Sequence, residues 1–167
     1  MNTPLVDAFS RWLAATRMSL AIGEVRWITP SVQCVHIVAI AATLACMTML
    51  NLRVLGVVGR EESLASVSHR YARWLWPTLL VLLLTGSVLI IGEPRRSLEN
   101  VVFAAKMAMV LAAAVITLAV TQPLKHDRAF WDEGARHRLA QLLAVVSLCL
   151  WAAIVFAGRW IAYAQDS

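Results

Sequence analysis

Little in this chain supports covalent stapling or a standard catalytic centre. Its three cysteines, Cys34, Cys46 and Cys149, sit in apolar stretches without paired spacing and without a CxxCH. Disulfide frameworks, zinc sites and covalently attached haem are therefore unsupported, and the cysteines read as small buried apolar residues. No complete catalytic or metal-binding motif, internal repeat or low-complexity stretch is present. There is no long basic tract either, so the net charge of +5 is explained by arginines at a membrane surface, and no nucleic acid is implied. The first thirty residues lack a continuous apolar core and carry Asp7, Arg11, Arg17, Glu24 and Arg26, unlike a cleavable signal.

Charge is scarcest in four segments, Ser31–Leu52, Trp74–Gly92, Val101–Thr121 and Leu139–Ala162. Each is long and apolar enough to cross a bilayer core of ~30 Å at 1.5 Å per residue. The chain, 60% hydrophobic with a mean hydropathy of +0.69, therefore reads as an all-α, polytopic membrane protein with the lipid bilayer as its surroundings. Short links between spans predict a four-helix up-down bundle over residues 31–167. Before it, residues 1–30 form an interfacial segment in which Leu5, Phe9, Trp12, Leu13, Thr16 and Leu20 recur at helical spacing, predicting one amphipathic surface helix. Trp27, Trp74, Trp76, Trp131 and Trp160 fall near span ends, as in an aromatic belt. Arg53–Arg73 reads as a polar loop.

Eight Lys and Arg residues follow spans one and three, against six on the other side. That bias places both termini on the non-cytoplasmic side. The alternation of spans also brings distant residues to one depth. His36 and Lys106 lie about six residues into spans one and three, ~9 Å below the surface on the side of the termini. Thr85, Gly86 and Phe156–Gly158 of the returning spans approach the same level, with Arg159 just above.

Lys106 is the only charge in its span. A lysine in hydrocarbon costs roughly 2.5–3.5 kcal/mol on insertion scales, so it turns to a protein interior, a partner or a ligand, or snorkels to the interface. His36 has two readings: a packing residue bonded to a neighbour such as Thr85, or a ligand and proton-transfer group. Together with Arg159 and the glycines, they outline a layer suited to a planar anionic or redox-active ligand, with haem b and quinone the leading examples; His36 would be the metal ligand. His69, His126 and His137 lie toward the opposite side, so a haem held by two histidines lacks its second intramembrane imidazole. His69 and His137 could form a shallow second site if their helices begin a turn early.

The residues Trp27–x2–Pro30–x5–His36, Asn51–Leu52–Arg53–Val54–Leu55–Gly56, Trp74–x–Trp76, Thr85–Gly86, Glu93–Pro94, Asn100–x2–Phe103–x2–Lys106 and Gly158–Arg159–Trp160–Ile161–Ala162–Tyr163 resemble a family of bacterial four-helix membrane proteins of unknown function. The resemblance implies a multi-pass protein of the bacterial inner membrane. It implies an aspartate where this chain has Asn51, and in many relatives a histidine where it has Thr121–Gln122. More distantly, His36, Arg53 and Lys106 are similar in position to residues of bacterial membrane protoporphyrinogen oxidases, which implies a haem or porphyrin ligand. The tyrosine-proline context of that family's arginine and its histidine after span three are missing.

Three readings stay open. One is a redox-linked membrane subunit with haem b or quinone in the His36/Lys106 layer, where Lys106 and Arg159 neutralise a propionate or a reduced quinone. Another is a structural or accessory subunit docking a larger complex, with a membrane protein or a second copy as partner. The last is a small-molecule or metal transporter, ranked behind the others because the inner halves of the spans are nearly featureless Leu, Val and Ala.

Overall fold

In the computed structural model the described residues are 4–59, 61–127, 129–131 and 134–163, with side chains as far as residue 158. They contain eight helices: α1 (Pro4–Ala14), α2 (Arg17–Glu24), α3 (Ile28–Val54), α4 (Leu64–Gly92), α5 (Pro94–Leu98), α6 (Val101–Thr121), α7 (Pro123–His126) and α8 (Gly134–Tyr163). No strand occurs among the described residues, and α3, α4, α6 with α7, and α8 are each long and apolar enough to cross a membrane. The fold is all-α, as the apolar runs require.

Local signals set the helix ends. Thr16 and Ser63 accept from the backbone N–H groups of Ser19 and Ser66, and the Asn100 side chain accepts from Val102 N–H at 2.8 Å, so each supplies an acceptor for otherwise unpaired first-turn donors. Pro94 and Pro123 open α5 and α7, where a missing N–H costs nothing. Gly56, at φ 70°, closes α3 while Val57 N–H reaches back to Leu52 C=O at 2.9 Å, a left-handed cap that a Cβ would strain.

Five expectations change. The N-terminal segment is two helices, broken at Ala15–Thr16 because Thr16 caps a new one. α4 begins at Leu64, well before Trp74, since Leu64, Val67 and Ser68 turn one face of this polar stretch inward. α8 similarly starts at Gly134. Trp131 is 5% exposed and donates its indole N–H to Val120 C=O, so it fills the loop core. Trp27, Trp74 and Trp76 remain exposed, as belt residues are. Of the cysteines expected to be buried, only Cys46 is; Cys34 and Cys149 are exposed on the outer faces of their helices.

The core lies where α3, α6 and α8 meet. Met47 and Thr43 are buried, as are the small residues Ala113, Ala140, Ala144 and Ser147 on α6 and α8, which let helices approach closely without a hydrophobic drive from water. Asn51 donates to the Ser147 hydroxyl at 3.1 Å within this buried region. α4 packs on α3, α3 on α8, and α8 on α6, whereas α4 and α6 scarcely touch despite being joined by a short link. α5 at one end and α7 at the other contact both of them. The bundle is therefore open along one side, and a cavity of about 130 Å³ lies in that opening.

The N-terminal helices dock at the α5 end. A Cβ on Gly92 would stand 3.0 Å from Ile22 of α2, so α2 rests directly on the end of α4. Ser10 of α1 is wholly buried and donates to Glu99 Oε1 at 2.7 Å, while Leu5, Phe9 and Trp12 turn outward. The Ser10 hydroxyl, followed by Arg95, holds the Glu99 carboxyl below its ordinary value. A depressed carboxylate stabilises the docked state above its unfolded pKa and loses that contribution as pH falls through the folded value. The protection of the α1 amides, taken relative to their intrinsic exchange rates at each pH, is accordingly expected to fall in acid, below the usual carboxylate range. Glu99→Gln keeps an acceptor for Ser10 but removes the charge, and should lower the protection of α1 at neutral pH and abolish that dependence; an α1 equally protected in acid and neutral solution would contradict the latch.

Candidate functional site

His36 stands two turns into α3, facing the far end of α4. Its Nδ1 lies 2.7 Å from the Thr85 hydroxyl oxygen, and that hydroxyl lies 2.6 Å from Val81 C=O. A threonine hydroxyl carries one proton, and a carbonyl cannot supply another. Both short contacts are hydrogen bonds only when Thr85 donates to Val81 and the imidazole Nδ1–H donates to Thr85. The tautomer is thereby fixed with Nε2 carrying the free lone pair, the arrangement by which a neighbour orients a histidine for ligation or proton acceptance. A Cβ on Gly86 would meet His36 Cε1 at 3.5 Å, so the ring lies against bare α4 backbone.

Lys106 sits early in α6 and faces α8. Its Nζ would be 3.8 Å from a Cβ on Gly158, placing the ammonium over the α8 backbone. The side chain is half-buried. Two pairs are thus brought together, His36 with Thr85 and Gly86, and Lys106 with Gly158, at the end of the bundle that carries α5. The side chain of Arg159 lies outside the described residues.

The other histidines do not extend this layer. His69 and His126 are exposed, and His137, although its helix does begin early, donates its Nδ1–H to Trp131 C=O at 3.2 Å. Arg53 lies at the opposite end, its Nε donating to Glu62 C=O at 3.0 Å. Among the described residues no group of three or more His, Cys, Asp or Glu is placed to hold a metal ion. A haem gripped by two imidazoles would find one of them here.

Spacing alone did not reveal two buried polar atoms, Thr43 Oγ1 and Trp151 Nε1, neither of which has a hydrogen-bond partner among the described residues. Each lies seven residues along its helix from a member of the layer, His36 and Gly158, hence two turns deeper. That matched offset is the signal a depth reading could have used.

No curated protein and no solved structure matches the chain. Residues 18–164 match the model of a family described as a family of unknown function, DUF6644. This match spans α2 from its second residue and every later helix, together with His36, Thr85, Lys106 and Gly158, and the chain belongs to that family.

Proposed function

We propose that the chain is a redox-linked membrane subunit whose His36/Lys106 layer binds a planar redox group, a quinone or a b-type haem with one protein imidazole. The observation that carries this reading is the Thr85 bond to Nδ1, which leaves Nε2 with a lone pair beside a glycine-surfaced helix. A quinone, when bound, supplies reversible electron and proton carriage; a haem supplies electron transfer at iron. His36 Nε2 would accept a hydroxyl proton or ligate iron. Lys106 would donate to a carbonyl or propionate oxygen, a charge-assisted bond roughly twice as strong as a neutral one. Gly86 and Gly158 would let the ring lie close to α4 and α8. The bacterial inner membrane, with the termini outside the cytoplasm, is the proposed setting, and a membrane protein the proposed partner for electron exchange. Transport ranks lower because Leu, Val and Ala dominate the inner halves of the spans.

The accessory-subunit reading rests on a separate observation, the outward apolar face of Leu5, Phe9 and Trp12, which suits a membrane surface or a partner helix. Protein purified gently from haem-replete cells separates the two. The redox reading expects either a Soret band with redox-sensitive bands or a quinone recovered by solvent extraction in near-equal amount to protein. Colourless, quinone-free protein that also fails to take up either group would overturn it and leave the accessory role.

A further inference from the structure

We propose that the cavity between the end of α3 and the start of α4 is a site for a phosphate group, carried by an anionic phospholipid of the surrounding bilayer. It lies at the end of the bundle opposite the His36/Lys106 layer and stands independently of how that layer is read.

A cavity of about 160 Å³ occupies this place. Met49 and Arg53 line it from one face of α3, and Val67, Arg70 and Tyr71 from one face of α4. Val58 and Gly59 close it from the loop that joins the two helices. Gly59 takes φ 64°, a left-handed conformation that suits glycine, and a Cβ on it would stand 3.5 Å from Arg53 Cδ. The loop thus folds over the stem of the arginine. Glu62 then holds both cations: its carbonyl accepts from Arg53 Nε and Nη2, and its carboxylate accepts from Arg70 Nη2 at 3.2 Å. A guanidinium has more N–H donors than these contacts use, so each arginine is positioned yet keeps donors for a further acceptor.

The lining selects the ligand. Its described residues contribute two guanidiniums and no carboxylate, and Glu62, outside the lining, offsets only one of the two charges. Planar guanidinium forks match the oxygens of a phosphate. A choline or ethanolamine group finds no comparable seat, because the Tyr71 ring is already faced by Arg70 at 5.6 Å. Depth identifies the source. The exposed Trp74 and Trp76 follow Tyr71 within about one and a half turns of α4 and mark the headgroup level, where basic side chains draw anionic lipid. Met49 and Val58 line the cavity yet remain exposed, so its mouth is apolar, and Met49 stands ~6 Å from Arg53 toward the middle of the span. A space of this size holds about one benzene-sized group. A headgroup phosphate therefore fits inside while the acyl chains stay in the bilayer.

The test titrates the full chain in neutral maltoside micelles with dioleoyl phosphatidylglycerol, dioleoyl phosphatidylcholine or inorganic phosphate, and counts bound molecules by native mass spectrometry. Wild type should bind phosphatidylglycerol roughly tenfold more tightly than phosphatidylcholine, the scale of one hydrogen bond to a charged group, and inorganic phosphate more weakly than either lipid. Arg53→Gln and Arg70→Gln should each weaken phosphatidylglycerol by a similar roughly tenfold factor. Arg70→Gln gives up only an exposed ion pair and carries the comparison if Arg53→Gln does not fold. Arg138→Gln removes the same charge from an exposed side chain outside the cavity and should leave binding unchanged. Equal weakening by Arg138→Gln would mean that the general charge of this surface attracts the lipid, and would overturn the site, as would equal binding of the two lipids. Inorganic phosphate bound as tightly as phosphatidylglycerol, with the same dependence on Arg53 and Arg70, would overturn the lipid source.

Discussion

His36→Ala is expected to abolish ligand retention while leaving the helices intact. The side chain is half-buried and bonded to Thr85, not packed in the core around Met47, so its removal should cost the fold little. For a ligand it removes either the iron's imidazole or a proton acceptor. Losing a hydrogen bond to a charged or ligating group weakens binding by about 1.5–3 kcal/mol, which is on the order of 10–100-fold. Thr85→Val keeps the shape but releases Nδ1, and should lower affinity by roughly tenfold, the scale of losses on removing an orienting partner. Ligand content and far-ultraviolet circular dichroism, measured together, check both. Full ligand content in folded His36→Ala protein would place the ligand elsewhere, with the cavity beside Arg53 and Tyr71 the next position to probe.

Trp131→Ala is expected to be the most destabilising single change outside the layer. Trp131 stacks edge-on with Phe130 at 4.8 Å, donates to Val120 C=O at 2.9 Å and offers its own carbonyl to His137. It thus ties the end of α6 to the start of α8. Burying a tryptophan and then deleting it costs about 3–5 kcal/mol, and here an acceptor on Val120 also loses its donor. Denaturation in mixed micelles should show a loss of that size, against little change for exposed Trp74→Ala. A loss near ~0.5 kcal/mol, the usual range for exposed positions, would mean that the loop core does not support the bundle.

What the sequence disclosed follows from which forces act locally. Apolar runs and caps such as Asn100 and Gly56 are local, and they locate the spans and most of their ends. The Leu64–Arg73 turn of α4 was harder because arginines and a histidine mask the inward face of Leu64, Val67 and Ser68. The shared level of His36 and Thr85 was legible because helical rise converts residue number into depth. The side-by-side order of the helices was not. α5 and α7 each contact both α4 and α6, and nothing in a short link reveals whether the helices it joins will touch. For the same reason Asn51 could be picked out, but not its partner Ser147, and Trp131 resembled an interfacial anchor until its fold back onto Val120 was seen.

The central claim is that His36 and Lys106 serve one ligand from opposite sides of a common layer. An experimental density map of the protein in lipid, prepared with its native ligand, tests this most directly. The account predicts planar density in contact with His36 Nε2, an oxygen-bearing edge within hydrogen-bond reach of Lys106 Nζ, and the Thr85 bond to Nδ1 intact. A map in which Lys106 extends to the lipid interface and Nε2 meets only protein side chains would contradict it.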